Sequence, residues 1–203
     1  MRRKAKEIER TNEVLVLIAH GTEDMEAVIV IDILRRAGIL VRVAGENEII
    51  TCAHGIKIIP DVLFDDLIEE EFFDAIIIPG GSEGVESLSS NPHIEKLLQI
   101  QSHRGGILAA ICAAPVMIAQ FNLAKRGSRI TSHFSVAEQF GKYTYVEENV
   151  VIDRNIITSR GAGTAFEFAL ALVELLVNED SKKKITADIM LPQSSLSPSH
   201  DGE

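Results

Sequence analysis

Ile107-Leu-Ala-Ala-Ile-Cys112-Ala-Ala-Pro-Val-Met-Ile-Ala-Gln120 is the stretch on which the fold turns. Ile107 to Ile111 run without a polar interruption, as a strand does when both faces of its sheet are covered. Ala113 and Ala114 lead into Pro115, which suits the first turn of a helix because its missing N–H would go unpaired there in any case. The reading is strand, tight turn, helix, with a cysteine on the turn.

Outward from this unit the same alternation repeats. Residues 14–19 form a second continuous apolar run, Asp74-Ala-Ile-Ile-Ile78 reads as another buried strand, and 40–44 as a further strand. Residues 25–37 carry a helical pattern closed by Gly38, where a glycine can take the left-handed conformation that ends a helix. Asn91 and Pro92 give the cap and first position of a helix reaching residue 102. Residues 48–52 and 56–59 flank Ala-His-Gly as a small hairpin. Short strands are predicted at 143–146, 150–152 and 156–158, and a long apolar helix at 163–177. Strands alternating with helices imply an α/β fold with a mostly parallel central sheet covered on both faces.

The chain has 203 residues with 20 Lys+Arg against 30 Asp+Glu, a formal net charge of −10. That acidity repels phosphate backbones and argues against nucleic acid as a partner. No apolar run reaches the roughly 18 residues of a membrane span. The basic start, Met1 to Arg10, lacks the apolar core of a signal peptide, and two cysteines make no disulfide framework, so a cytoplasmic protein is expected. Residues 1–12 are read as a short basic extension, 13–191 as one domain and 192–203 as a disordered tail. Lys182 to Lys184 read as a solvated charge run.

Ligands of open α/β sheets bind beyond the carboxyl ends of the strands, and three such ends carry unusual residues. On the turn after residue 111, Cys112 lies between small residues, the pattern of a nucleophile elbow that pushes a side chain out of the sheet. A helix amino terminus there would lower the thiol pKa; an inert core cysteine fits the same local pattern. Glu26 stands in the first turn of an apolar helix, where a carboxylate is costly unless paired, exposed or used, although a plain helix-end charge beside Glu23 and Asp24 accounts for it as well. Pro79-Gly-Gly-Ser-Glu-Gly84 follows another buried strand. It lacks the glycine order of a dinucleotide loop, and its flexibility better serves to present a backbone N–H to an oxyanion. His133 is the histidine best placed to accompany a thiolate. No zinc-type spacing occurs, so neither metal nor cofactor is expected.

These residues, taken in order, strongly resemble the ThiJ/PfpI superfamily: Gly21-x-Glu-x-x-Glu26, Arg35-Arg-Ala-Gly38, Pro79-Gly-Gly81, Ala109-Ala-Ile-Cys-Ala-Ala-Pro115, Thr131-Ser-His133, Thr158-Ser-Arg-Gly161 and Phe166-Glu-Phe-Ala169. The branch they resemble most is that of the parkinsonism-associated deglycases. The resemblance implies a flavodoxin-like three-layer sandwich and a homodimer. It further implies a reactive cysteine at Cys112, a protonated Glu26 hydrogen-bonded to its sulfur, His133 nearby, and an oxyanion site from the backbone N–H groups of Gly81 and Ala113. The implied activities are a glutathione-independent glyoxalase (a lyase) or a deglycase (a hydrolase) acting on small α-oxoaldehydes or glycated protein. The alternative is an oxidative-stress sensor or redox-regulated chaperone working through oxidation of Cys112. Two departures matter. Ala113 stands where the protease-like branch has a histidine, which removes a peptidase reading, and Phe134 replaces the proline that often follows the distal histidine.

Overall fold

The apolar run at 107–111 is a strand in the seven-stranded central sheet of the computed structural model, which describes residues 12–68 and 71–192. In chain order the elements are β1 (Glu13–Ile18), α1 (Asp24–Arg36), β2 (Leu40–Gly45), β3 (Ile50–Thr51), β4 (Lys57–Ile58), β5 (Val62–Leu63), β6 (Ala75–Ile78), α2 (Ser82–Ser89), α3 (Pro92–His103), β7 (Ile107–Ile111), α4 (Pro115–Gln120), β8 (Arg129–Ile130), β9 (Thr144–Tyr145), β10 (Val150–Asp153), β11 (Ile156–Ser159), α5 (Ala165–Leu176) and α6 (Glu179–Asp188). The sheet order is β10-β11-β7-β6-β1-β2-β5. Every neighbouring pair is parallel except β10 with β11.

Alternation along the strands sends side chains to two cores. Leu15, Leu17, Ile76, Ile78 and Leu108 pack against Leu88, Leu98 and Met117 of α2, α3 and α4. Val16, Ile18, Ile77 and Ile111 pack against Val30 and Leu34 of α1 and Phe168 and Leu172 of α5. Fully burying each such side chain contributes about 1.5–3 kcal/mol, and the result is the three-layer, flavodoxin-like sandwich that the resemblance implied. No described helix is long and apolar enough to cross a membrane.

Two helices depart from the sequence reading. Residues 82–84, taken as part of a glycine loop over 79–84, instead open α2, with Gly81 as its cap and Gly84 in its first turn. Gly84 lies so close to Thr22 that a Cβ would meet the Thr22 backbone at 2.8 Å, so this glycine serves packing. The lysines at 182–184 sit in α6, capped by Asn178 and carrying a Lys183–Glu179 pair, with Ile185 as its buried anchor. The proposed amino-terminal extension and carboxyl-terminal tail fall almost wholly on residues 1–11 and 193–203, outside the described residues.

The topology places the chemistry. Strands β1, β6 and β7 are adjacent at the centre, so the loops beyond their carboxyl ends converge, bringing Glu26, Gly80 and Cys112 into one corner.

Candidate active site

Cys112 adopts φ 65°, one of four non-glycine residues with positive φ among those described. Such a conformation costs on the order of 1–2 kcal/mol for an L-residue. Three backbone hydrogen bonds hold it. The Cys112 N–H donates to the Ser159 carbonyl at 3.0 Å, the Cys112 carbonyl accepts from the His133 N–H at 2.8 Å, and the Ala114 N–H closes the turn on Ile111 at 3.1 Å. The thiol is only partly buried. This is the elbow that the small residues around Cys112 predict.

Glu26 is fully buried in the first turn of α1. Its Oε2 accepts the Gly80 N–H at 2.7 Å. The Glu23 N–H donates to the Gly80 carbonyl at 2.9 Å, and Glu23 Oε2 in turn accepts the Glu26 N–H at 2.8 Å. Glu23, Gly80 and Glu26 therefore close a ring of hydrogen bonds between two loops. Burial raises the Glu26 carboxyl from 4.5 to about 7, with the Glu23 charge adding to the rise, against the opposing pull of the Gly80 N–H and the Cys112 thiol. Gly80 is the hinge of the arrangement. A Cβ there would lie 2.6 Å from Cys112 Cβ and 2.7 Å from Glu26 Oε2, so only glycine lets the carboxyl and the thiol share this corner.

The thiol departs from expectation. Burial, then the Glu26 charge, pushes Cys112 up to about 12, while the N–H groups of Ala113 and Gly81 pull it down without prevailing. The expected lowering by a helix terminus is overridden, because α4 is a short helix of 6 residues and a buried carboxylate sits closer. Those same two N–H groups are the pair that the family resemblance implies for an oxyanion site. Gly81 reaches its place at φ 91°, pressed so tightly that a Cβ would fall 2.1 Å from the Gly21 carbonyl oxygen.

His133 is tied to Cys112 through its backbone, but its ring is engaged elsewhere. Nδ1 lies 2.8 Å from Ser135 Oγ and accepts the Ser135 N–H at 3.3 Å, and the ring rests 4.2 Å from that of Phe134. The ring makes no hydrogen bond to Cys112 or Glu26 among the described residues.

Two acids dismissed as ordinary helix-end charges have defined work. Glu23 is the cap described above. Asp24 accepts the N–H groups of His54 and Ile56 at 2.7 and 2.9 Å, clamping the hairpin β3–β4 to the start of α1. Burial opposes its ionisation, yet those hydrogen bonds keep its carboxyl below the usual range. Cys52, read as structural, is buried beside this clamp. Burial and the charges of Asp24 and Glu23 push its thiol up to about 11, so it stays protonated at neutral pH.

A family model described as DJ-1/PfpI matches residues 12–175. The chain belongs to the DJ-1/PfpI family. Among its relatives in that family, the Parkinson disease protein 7 homolog of Danio rerio is 39% identical over 182 residues, spanning 87% of this chain and 96% of the relative. The glutathione-independent glyoxalase DJR-1.2 of Caenorhabditis elegans is 38% identical over 87% of this chain and 95% of its own length. The crystal structure of Drosophila melanogaster DJ-1beta superposes with a TM-score of 0.86 at 38% identity, covering 90% of this chain and all of that one. DJ-1/PfpI membership accords with the motif order from Gly21 to Ala169.

Proposed function

We propose that the protein is a cysteine-dependent, glutathione-independent glyoxalase or deglycase, with small α-oxoaldehydes such as methylglyoxal, or their adducts on protein, as substrates. The observation that carries this reading is the Gly80 corner, where a buried carboxyl titrating near neutrality meets a strained, partly accessible thiol. A relative bearing the glyoxalase name supports the reaction class.

In this mechanism the Cys112 sulfur attacks the aldehyde carbon, and its proton passes to Glu26. Protonating Glu26 removes the charge that holds the thiol up and supplies a donor, and both effects favour thiolate. The new alkoxide faces the N–H groups of Gly81 and Ala113, a type of contact worth roughly 3 kcal/mol per donor in comparable sites. Glu26 returns its proton to the alkoxide, giving a neutral hemithioacetal. Its carboxylate then removes the hydrogen on the former aldehyde carbon as a proton, and the electron pair passes towards the neighbouring carbonyl, whose oxygen takes up the proton of the adjacent hydroxyl. Glu26 returns its proton to the neighbouring carbon as the first carbon–oxygen bond becomes the thioester carbonyl. The hemithioacetal thereby becomes a 2-hydroxy thioester, and water releases the 2-hydroxy acid and regenerates the thiol. Opening a glycated adduct uses the same sulfur: it displaces the protein's amine or thiol from the adduct carbon, that group leaves with a proton from Glu26, and the same hemithioacetal results.

The deciding experiment is lactate formation from methylglyoxal by the wild-type protein and by Cys112→Ala. Wild type is expected to turn over and the variant to fall to the uncatalysed rate; equal rates would end the enzyme reading. A redox sensor is the second reading, favoured by the same partly accessible sulfur beside an acid that can hydrogen-bond sulfinate oxygens. It takes over if Cys112 oxidation, rather than turnover, changes partner binding or chaperone activity.

A homodimer is part of the proposal. Met25 and Val28 of α1 are 51% and 43% exposed, Ile59 beside the hairpin is 77% exposed, and Val28 and Ile59 line one surface depression, exposed apolar surface of the kind that a partner copy covers. Sedimentation at micromolar concentration is expected to give twice the 22.2 kDa chain mass; a monomer mass refutes it.

A further inference from the structure

The role of His133 is decided by a residue that carries no chemistry of its own. His133 precedes the short 3-10 helix of Phe134–Phe140 and caps it, its side chain accepting the Ser135 N–H. A backbone N–H is an obligatory donor. The ring nitrogen that accepts it, Nδ1, therefore carries no proton in the neutral imidazole, so the proton resides on Nε2. The Ser135 hydroxyl, 2.8 Å from Nδ1, is free to rotate and donates to the same nitrogen. Phe134 presses on the ring at 4.2 Å with an interplanar angle of 35°, which limits its rotation. Phe134 is itself 74% exposed, so the pair stands at the protein surface.

The other edge of the ring lies by the elbow. His133 Cδ2, bonded to Nε2, is 3.7 Å from where a Gly161 Cβ would be. Gly161 follows two residues after Ser159, whose carbonyl holds the Cys112 N–H, and the His133 N–H holds the Cys112 carbonyl. Nε2 has no hydrogen-bond partner among the described residues.

We infer that Ser135 is a positioning residue that fixes His133 as the Nε2–H tautomer, so that His133 serves the reaction as a hydrogen-bond donor to a substrate oxygen and not as a base. The acceptor it fits is the carbonyl oxygen next to the attacked aldehyde, which gains negative charge when Glu26 removes the neighbouring proton. The donor role rests on the glyoxalase reading proposed above; the tautomer does not. Proton removal in this scheme belongs to Glu26 alone, and His133 neither takes nor gives up a proton in the reaction.

The test combines a spectrum with kinetics. ¹⁵N correlation spectra of the full-length protein at about pH 8.5, well above the ordinary histidine value, should give His133 an unprotonated Nδ1 and a protonated Nε2. The reverse pattern overturns the inference. Ser135→Pro removes the N–H and should bring in the Nδ1–H form, whereas Ser135→Ala keeps the N–H and should keep the wild-type pattern. A switch in Ser135→Ala overturns the assignment to the amide, and if the proline variant does not fold, the wild-type and alanine spectra still decide. In methylglyoxal turnover, His133→Ala is expected to lose about tenfold to a hundredfold in kcat/KM, the scale of one hydrogen bond to a developing charge. His133→Gln, which retains an N–H donor but no basic nitrogen, should recover most of that loss. A glutamine variant as poor as the alanine variant overturns the donor role. Absence of Cys112-dependent turnover in the wild type refutes the enzyme reading and the donor role with it, while the spectra still decide the tautomer.

Discussion

Glu26→Gln is expected to make the protein more stable at neutral pH while removing most of its turnover. The folded carboxyl titrates near 7 and the unfolded one near 4.5, so between these values the folded state holds a proton that the unfolded state has released. Stability from this group is fully present below about pH 4.5 and is lost as pH rises through 7. The gap amounts to ~3 kcal/mol, since each tenfold difference in proton affinity is about 1.4 kcal/mol. Glutamine keeps an acceptor for the Gly80 N–H and has nothing to ionise. Urea unfolding of both proteins from pH 4.5 to 8 should give curves that meet at the acid end and separate by ~3 kcal/mol above pH 7. Parallel curves would mean that the carboxyl is not held near neutrality. Turnover in the variant should fall by about a hundredfold or more, as for loss of a positioned acid–base group.

Gly81→Ala should be the most damaging single-methyl change in the chain. The residue combines φ 91° with a space in which a Cβ would sit 2.1 Å from the Gly21 oxygen and 2.6 Å from the Glu23 nitrogen. Neither neighbour is a side chain that can swing aside. Relief requires pulling the 20–23 loop away from the 79–81 loop, which breaks the Glu23–Gly80–Glu26 ring of hydrogen bonds and opens the oxyanion site. The loss should exceed ~4 kcal/mol, lowering Tm by about 10 °C or more for a domain of this size. Gly38 provides the control. It has φ 77° but nothing within 4 Å of its Cβ position, so Gly38→Ala carries the conformational penalty alone, about 1 kcal/mol. Equal losses in the two variants would show that loop contact contributes nothing at Gly81.

Sequence legibility followed burial. Strands β1, β6 and β7 announced themselves because both of their faces are covered, which leaves an unbroken apolar run. Helix α1 was legible through its periodicity and Gly38. Helix α2 was not, since Gly81, Gly84 and four serines weaken every helical signal, and what holds it is contact with Thr22 and the 79–81 loop. Helix α6 was hidden by its lysines and by having Ile185 as its one buried residue. At the site, Cys112 and Glu26 were visible as residues out of place, a cysteine on a turn and a carboxylate in an apolar helix. The upward shift of the thiol was not, because it arises first from burial and then from the approach of Glu26 across strand order, neither of which a neighbour in the chain reveals. The work of Gly80 and Asp24 is likewise tertiary, whereas that of Ser135 is local: a histidine two residues before a serine is a capping pattern that can be sought in sequence.

The hydrogen bond from Cys112 to Ser159 ties the elbow to the penultimate part of the fold, across 47 residues of sequence. Chains grow from the amino end, so a nascent polypeptide carries Cys112 through much of its synthesis before β11 exists to receive it. Until that strand docks, the cysteine lacks the anchor that bends its backbone into the elbow. The bend that sets Cys112 against Gly80 and Glu26 is thus completed only once β11 has been made, although every residue of that corner is translated before it.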